Sequence, residues 1–386
     1  MTGIGSFLLS IALILIAAKL FGELAERLGQ PPVLGELLAG IILGPSLLGW
    51  VHESNILHFL AELGAIILLF EVGIHSKLSE LMRVGIWSFT VACVGVILPF
   101  VGGYFTCAAL GMTPMVAIFV GATLTATSVG ITARVFRDLK ILEKDESKIV
   151  LGAAVADDVI GLIILAVVVK LVAGGTIDAL NIFGITLLAV GFLVGGMLIG
   201  NLIAKPLIEF INKMRVAGSL IAAAFSFCLI FAYLGNAVGL APIVGAFTAG
   251  LILSQTERKT HIAERLTPLY DIFVPIFFVL MGTIVDVSKL NPFNPANTHL
   301  LLVAGLLIAV AVIGKVAAGY SVIKGRLDRL LIGIGMIPRG EVGLIFAGLG
   351  LTRGVIDTNI YSVIVTLVIF TTLITPPLLA WKIKQK

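Results

Sequence analysis

An all-α, polytopic membrane protein is the fold class that the sequence predicts, and three observations predict it. Of 386 residues, 59% are hydrophobic and only 12% charged, against roughly 25% charged in soluble chains. Mean hydropathy is +1.14, which is more apolar surface than a soluble interior can hide. The charges also cluster between long apolar runs instead of alternating through them, the hydropathy pattern of membrane helices.

Thirteen runs read as membrane spans, on the basis that about 20 residues cross the hydrocarbon layer. They cover 5–25, 31–50, 56–74, 84–109, 114–133, 147–172, 180–211, 216–237, 240–255, 266–286, 299–323, 328–350 and 360–381. No Lys or Arg precedes Lys19, so the first run is read as a retained span and not as a cleaved leader. Loops after odd-numbered runs, with the C-terminal tail, hold 20 of the 26 basic residues, including Arg134, Arg137, Lys140, Lys144 and Lys148. Loops after even-numbered runs hold Lys170, Lys289 and Arg353. Because cytoplasmic loops collect Lys and Arg, the N-terminus is expected outside and the C-terminus in the cytoplasm. The net charge of +4 is thereby explained by topology, and no nucleic-acid partner is inferred. Cys93, Cys107 and Cys228 sit inside apolar runs and match neither a disulfide framework nor a metal-ligand spacing.

Thirteen spans divide into six, a linker and six: a first repeat over 1–172, a linker helix over 180–211 and a second repeat over 216–386. Span 8 starts on the side opposite to span 1, so the halves have inverted topology. Secondary transporters are commonly built this way, with the substrate near the midplane between interrupted helices. Two spans carry interruptions. Gly121 to Gly130 is a run of hydroxyls and glycines that includes Thr125, Thr127 and Ser128. In Ile337-Pro-Arg-Gly-Glu341, Pro338 removes a backbone donor and Gly340 weakens the helix. These are the fifth spans of their halves.

Ionisable groups at membrane depth are costly and are candidates for function. Asp157 and Asp158 lie near the middle of 147–172 with apolar flanks. Neighbours on a helix point about 100° apart, so the two carboxylates face different partners. That geometry argues against an intramembrane aspartyl protease, which needs two acids sharing one proton. A carboxylate deprived of water releases its proton less readily, so a proton and a dehydrated cation can compete for one such group. The hydroxyls of Thr125, Thr127 and Ser128 are suited to a hard monovalent cation. Lys315, deep in 299–323, needs a partner, and one of the two aspartates is the expected one. Arg339 and Glu341 flank the second interruption beside Pro338 and are read as compensating the ends of the half-helices. Glu36, Glu62, Glu71 and Asp271 are further acids in apolar runs, and no transport role is assigned to them.

The sequence resembles the monovalent cation:proton antiporter-2 family, in particular the bacterial NapA-type sodium/proton antiporters, over essentially its whole length. The resemblance rests on Gly35-Glu-Leu-Leu-Ala-Gly40 with Leu43-Gly-Pro45, Ala126-Thr-Ser-Val-Gly-Ile-Thr-Ala-Arg134 and Leu151-Gly-Ala-Ala-Val-Ala-Asp-Asp158. It continues through Ala241-Pro-Ile-Val-Gly-Ala-Phe247, Pro275-Ile-Phe-Phe278, Gly314-Lys315 and Pro338-Arg-Gly-Glu-Val-Gly-Leu344. It implies an antiporter fold with crossed broken helices and a multi-pass protein of the bacterial inner membrane. It implies elevator-type exchange of sodium (or lithium) for protons in a homodimer, with no cofactor. A core domain would come from 84–172 and 299–381, and a dimerisation domain from the remaining spans. Asp158 would carry sodium or a proton in turn, Asp157 would pair with Lys315, and Thr127 and Ser128 would lie at the crossing. Lys315 points to the electrogenic branch, and potassium or mixed specificity is the alternative. Relatives often carry an apolar residue where this chain has Glu71 and an acid at His75, which leaves their contacts open.

Overall fold

The computed structural model describes residues 3–385 apart from 53, 77, 173–178, 213–215, 217, 292–296, 324 and 326. Of the residues used in the sequence reading, Lys77, Lys213, Arg215, Lys324, Arg326 and Lys386 lie outside that set, as do the side chains of Lys170, Lys205 and Glu341. The described residues are all-helical: α1 (Gly3–Arg27), α2 (Pro32–Leu43), α3 (Asn55–His75), α4 (Leu78–Ala109), α5 (Pro114–Thr123), α6 (Val129–Asp138), α7 (Asp145–Val172), α8 (Ala179–Asn212), α9 (Ser219–Ala237), α10 (Pro242–Leu253), α11 (Lys259–Thr283), α12 (Thr298–Gly319), α13 (Arg329–Gly335), α14 (Glu341–Thr352) and α15 (Thr358–Lys384), with a 3₁₀ turn over Val287–Leu290. Eight described helices are long and apolar enough to cross a membrane. Three shorter apolar helices are α2, α5 and α10.

Local chemistry explains several boundaries. The run 31–50 yields only 12 helical residues in α2, because the chain leaves the helix at Gly44, φ −69° and ψ 174°. Pro45 follows, and a residue before proline is pushed from the helical region into extended backbone. Both α2 and α10 have 12 residues, start on a proline and carry an N-cap near φ −60° with ψ 138° and 137°. Proline suits this first position, since its missing N–H would lack a helical partner anyway. Asp328 caps α13 by accepting from Leu331 N, and Asp357 caps α15 by accepting from Ile360 N.

The helices pack in two groups. Helices α1, α2, α3, α9, α10 and α11 pack on one another, and so do α4, α5, α7, α12, α13, α14 and α15. Glycines bring backbones together inside the first group, as small residues do in membrane helix contacts. A Cβ on Gly40 of α2 would overlap Val279 O of α11, and one on Gly73 of α3 would overlap Phe247 O of α10. Helix α6 touches both groups, meeting α7 and α15 on one side and α2 and α3 on the other.

Candidate ion-binding site

The two interruptions meet in space. Helix α5 stops at Thr123, α6 resumes at Val129, α13 stops at Gly335 and α14 resumes at Glu341. In the first break the Thr125 hydroxyl bonds back to Ala122 O at 2.7 Å, a local bond that competes with helical pairing. In the second, Pro338 supplies no N–H. The breaks then satisfy each other. Ser128 N donates to Pro338 O at 2.8 Å, and Thr132 Oγ1 donates to Gly335 O at 2.7 Å. The contact is close enough that a Cβ on Gly340 would fall 2.7 Å from Ser128 Cβ.

Such a crossing sets the carbonyl ends of α5 and α13 beside the N–H ends of α6 and α14. Helix termini carry partial charges of about half an electron, so the carbonyl ends need a cation. Arg339 supplies one. It is fully buried, and its Nη1 donates to Thr125 O at 3.2 Å and also to Ala126 O. Helix α15 holds the second break through hydroxyls: Arg339 N donates to Thr371 Oγ1 at 3.3 Å, and Thr372 Oγ1 donates to Arg339 O at 2.6 Å.

The two aspartates differ as their helical spacing requires. Asp157 is 1% exposed, and Lys315 Nζ donates to its Oδ2 at 3.2 Å. Neither side chain of that pair has any exposed surface. Asp158 is half-buried. Burying two charges costs several kcal/mol per ion unless they pair well, and the direct Asp157–Lys315 contact supplies that pairing. Among the described residues, Asp157 Oδ1, Thr127 Oγ1 and Ser128 Oγ are buried without a hydrogen-bond partner. Buried oxygens in that state are expensive to leave unmatched, and a dehydrated cation is one way to match them. Thr125, by contrast, has its hydroxyl committed to Ala122 O.

Comparison with known proteins decides the family. A profile described as "Sodium/hydrogen exchanger, transmembrane" matches residues 9–383. The chain belongs to the sodium/hydrogen exchanger family. Its members are transporters, not enzymes, and the ions they carry are cargo. The chain is 42% identical to the high-affinity Na(+)/H(+) antiporter NhaS3 of Synechocystis, covering 96% of this chain and 88% of that one. It is 38% identical to the Na(+)/H(+)-K(+) antiporter GerN of Bacillus cereus, over 98% and 97%. It is 32% identical to a Na(+)/H(+) antiporter of Enterococcus hirae, over 97% of each. Among solved structures it matches the sodium proton antiporter MjNhaP1 of Methanocaldococcus jannaschii at TM-score 0.70 and 19% identity, over 97% and 96% of the two chains. That likeness is one of fold.

Some placements in this exchanger differ from the sequence reading. Arg134, counted there as a loop charge, lies in α6 with its side chain 8% exposed and 2.9 Å from Glu36. The helix runs on past the reading's boundary at 133, so this cation is inside the helix packing. Thr371 and Thr372 fall inside the expected span 360–381, in which the sequence analysis singles out no residue. The signal available was a hydroxyl pair inside that span, one turn before Pro376 and Pro377. Glu62 and Asp271 are exposed, whereas Glu36 and Glu71 are buried and paired with arginines.

Proposed function

We propose that this exchanger moves sodium, or lithium, out of a bacterial cell against protons, with Asp158 taking cation and proton in turn. The observation that carries the reading is the closed buried pair of Asp157 and Lys315 next to half-buried Asp158. In the reading, sodium is held by Asp158 with oxygens from Asp157, Thr127 and Ser128. Its arrival draws Asp157 away from Lys315, which then gives up a proton. Two protons thus return for each sodium ion, and one net charge crosses. A charge moved through 100 mV is worth about 2.3 kcal/mol, so membrane potential alone can drive export. Pro338, Arg339 and Glu341 support the crossing and bind no ion.

Thirteen spans are obtained by taking α5 with α6 and α13 with α14 as single interrupted crossings. The matched breaks in the fifth spans, and the matched 12-residue helices α2 and α10 in the second spans, support two inverted repeats joined by α8. The two packing groups support an elevator cycle. The α4–α7 and α12–α15 group moves as the core, and the α1–α3 and α9–α11 group forms the dimerising scaffold. The basic loops support an N-terminus outside and a C-terminus in the cytoplasm.

Potassium or mixed specificity is the second reading, favoured by the name of the 38%-identical relative GerN, a Na(+)/H(+)-K(+) antiporter. Proteoliposomes holding a preset pH gradient separate the two. Sodium and lithium are expected to dissipate the gradient while potassium does so at least about tenfold less well, a discrimination of roughly 1.4 kcal/mol. Equal responses to potassium would replace the first reading with the second, and no response to any of the three would remove both.

A further inference from the structure

The transport chemistry leaves one group of buried charges unused. Arg134 donates through Nη2 to Glu36 Oε1 at 2.9 Å, through Nε to Asp138 at 3.1 Å and through Nη1 to Tyr270 Oη at 3.0 Å. One turn on, Arg137 donates to Glu71 Oε1 at 2.8 Å, and its guanidinium lies 3.7 Å from the centre of the Tyr270 ring. His75 Nε2 stands 4.0 Å from the same Glu71 oxygen. Both arginines and Asp138 are on α6, Glu36 is on α2, Glu71 and His75 on α3, and Tyr270 on α11. The cluster therefore ties a half-helix of the core group to three helices of the scaffold group.

Its position is one-sided. It sits at the C-terminal ends of α3 and α6 and the N-terminal part of α2, which the basic loops assign to the cytoplasm. Among the described residues, Arg134–Glu36 and Arg137–Glu71 are the ion pairs that join the two groups. At the same end, Lys384 of α15 donates to Gly29 O, between α1 and α2, at 2.9 Å. At the other end, Lys289 reaches Ser362 Oγ, a contact to a neutral hydroxyl. Below the arginines, α6 rests on apolar side chains: a Cβ on Gly130 would meet Leu68 and Leu69 of α3 at 3.8 Å and Phe277 of α11 at 3.9 Å.

We propose that Arg134, Arg137, Glu36, Glu71 and Tyr270 form a cytoplasmic latch that clamps the moving core to the scaffold and must open in each transport cycle. The proposal rests on the two-body elevator reading above. Charged groups suit such a device, because the cost of burying the ions offsets much of their attraction, and each partner regains hydration once the interface parts. Tyr270 adds a phenol acceptor for Arg134 and an aromatic face for Arg137. A merely structural strut would use the same contacts without ever releasing them, and access to the interface distinguishes the two.

The test introduces Gly130→Cys into the full chain with Cys93, Cys107 and Cys228 replaced by Ala. A membrane-impermeant maleimide is then applied to right-side-out and inverted vesicles. With the latch intact, labelling from the cytoplasmic face is slow. Glu71→Gln with Arg137→Gln is expected to speed cytoplasmic labelling about tenfold by shifting the population toward the opened interface. Tyr270→Phe, which deletes no charge, is expected to speed it roughly two- to threefold, and decides the matter alone if the double variant does not fold. Folded variants labelled at the parent rate would overturn the latch. Labelling reads the latch without transport, while the cation responses of the native chain in proteoliposomes test the exchange reading, so that either can fail alone.

Discussion

Asp158→Asn is expected to abolish sodium-driven proton movement while leaving the folded protein intact. The amide keeps the volume of the side chain and some of its polar contacts, but it can neither offset a dehydrated cation nor bind and release a proton near neutral pH. A unit charge at about 4 Å in an effective dielectric near 20 is worth about 4 kcal/mol, or roughly 1000-fold in affinity. Flux measured in proteoliposomes should accordingly fall to background at any attainable sodium concentration. The buried Asp157–Lys315 pair is untouched by this change, so thermal unfolding should move little. A variant that still exchanges at a tenth of the native rate would shift the carrier role away from Asp158.

Lys315→Met is expected to be the most destabilising single change in the site, and most of the loss should be recovered by Asp157→Asn in the same chain. Both side chains have no exposed surface, and Asp157 Oδ1 is already without a hydrogen-bond partner among the described residues. Deleting the ammonium leaves an uncompensated buried carboxylate at a cost of about 3–5 kcal/mol, whereas replacing both members of such a pair is often near neutral. Arg339 keeps its bonds to the carbonyls of Thr125 and Ala126, so the crossing survives in the double variant. Thermal unfolding in detergent, read by a dye or by the fraction eluting as monodisperse protein, orders the three chains. Equal melting of the single and double variants would show that the contact is not the closed ion pair described here.

Legibility differed from residue to residue, for physical reasons. The breaks could be located because helix-weakening residues gather there: hydroxyls from Thr123 to Ser128, and Pro338 with Gly340. Their crossing came only from the family resemblance, since Ser128 N to Pro338 O joins residues 210 apart and the residues themselves do not mark that contact. Asp157 and Asp158 stood out because apolar neighbours make a charge conspicuous. Arg134 was misplaced for the opposite reason: it opens a run of five cations ending at Lys148, and that density reads as a wet loop. Only the packing of α6 against α2 and α3 shows the first of those cations to be buried. The shortness of α2 was written in Gly44-Pro45, a signal outweighed by the apolar residues beyond it.

The central claim is that sodium and protons compete for one carboxylate, and the pH dependence of the apparent KM for sodium tests it most directly. Competition predicts that KM rises as pH falls, by up to about tenfold per pH unit for each competing proton, while the maximal rate at saturating sodium holds nearly constant. A KM that stays flat across the same range, with the maximal rate carrying all of the pH dependence, would contradict a shared site.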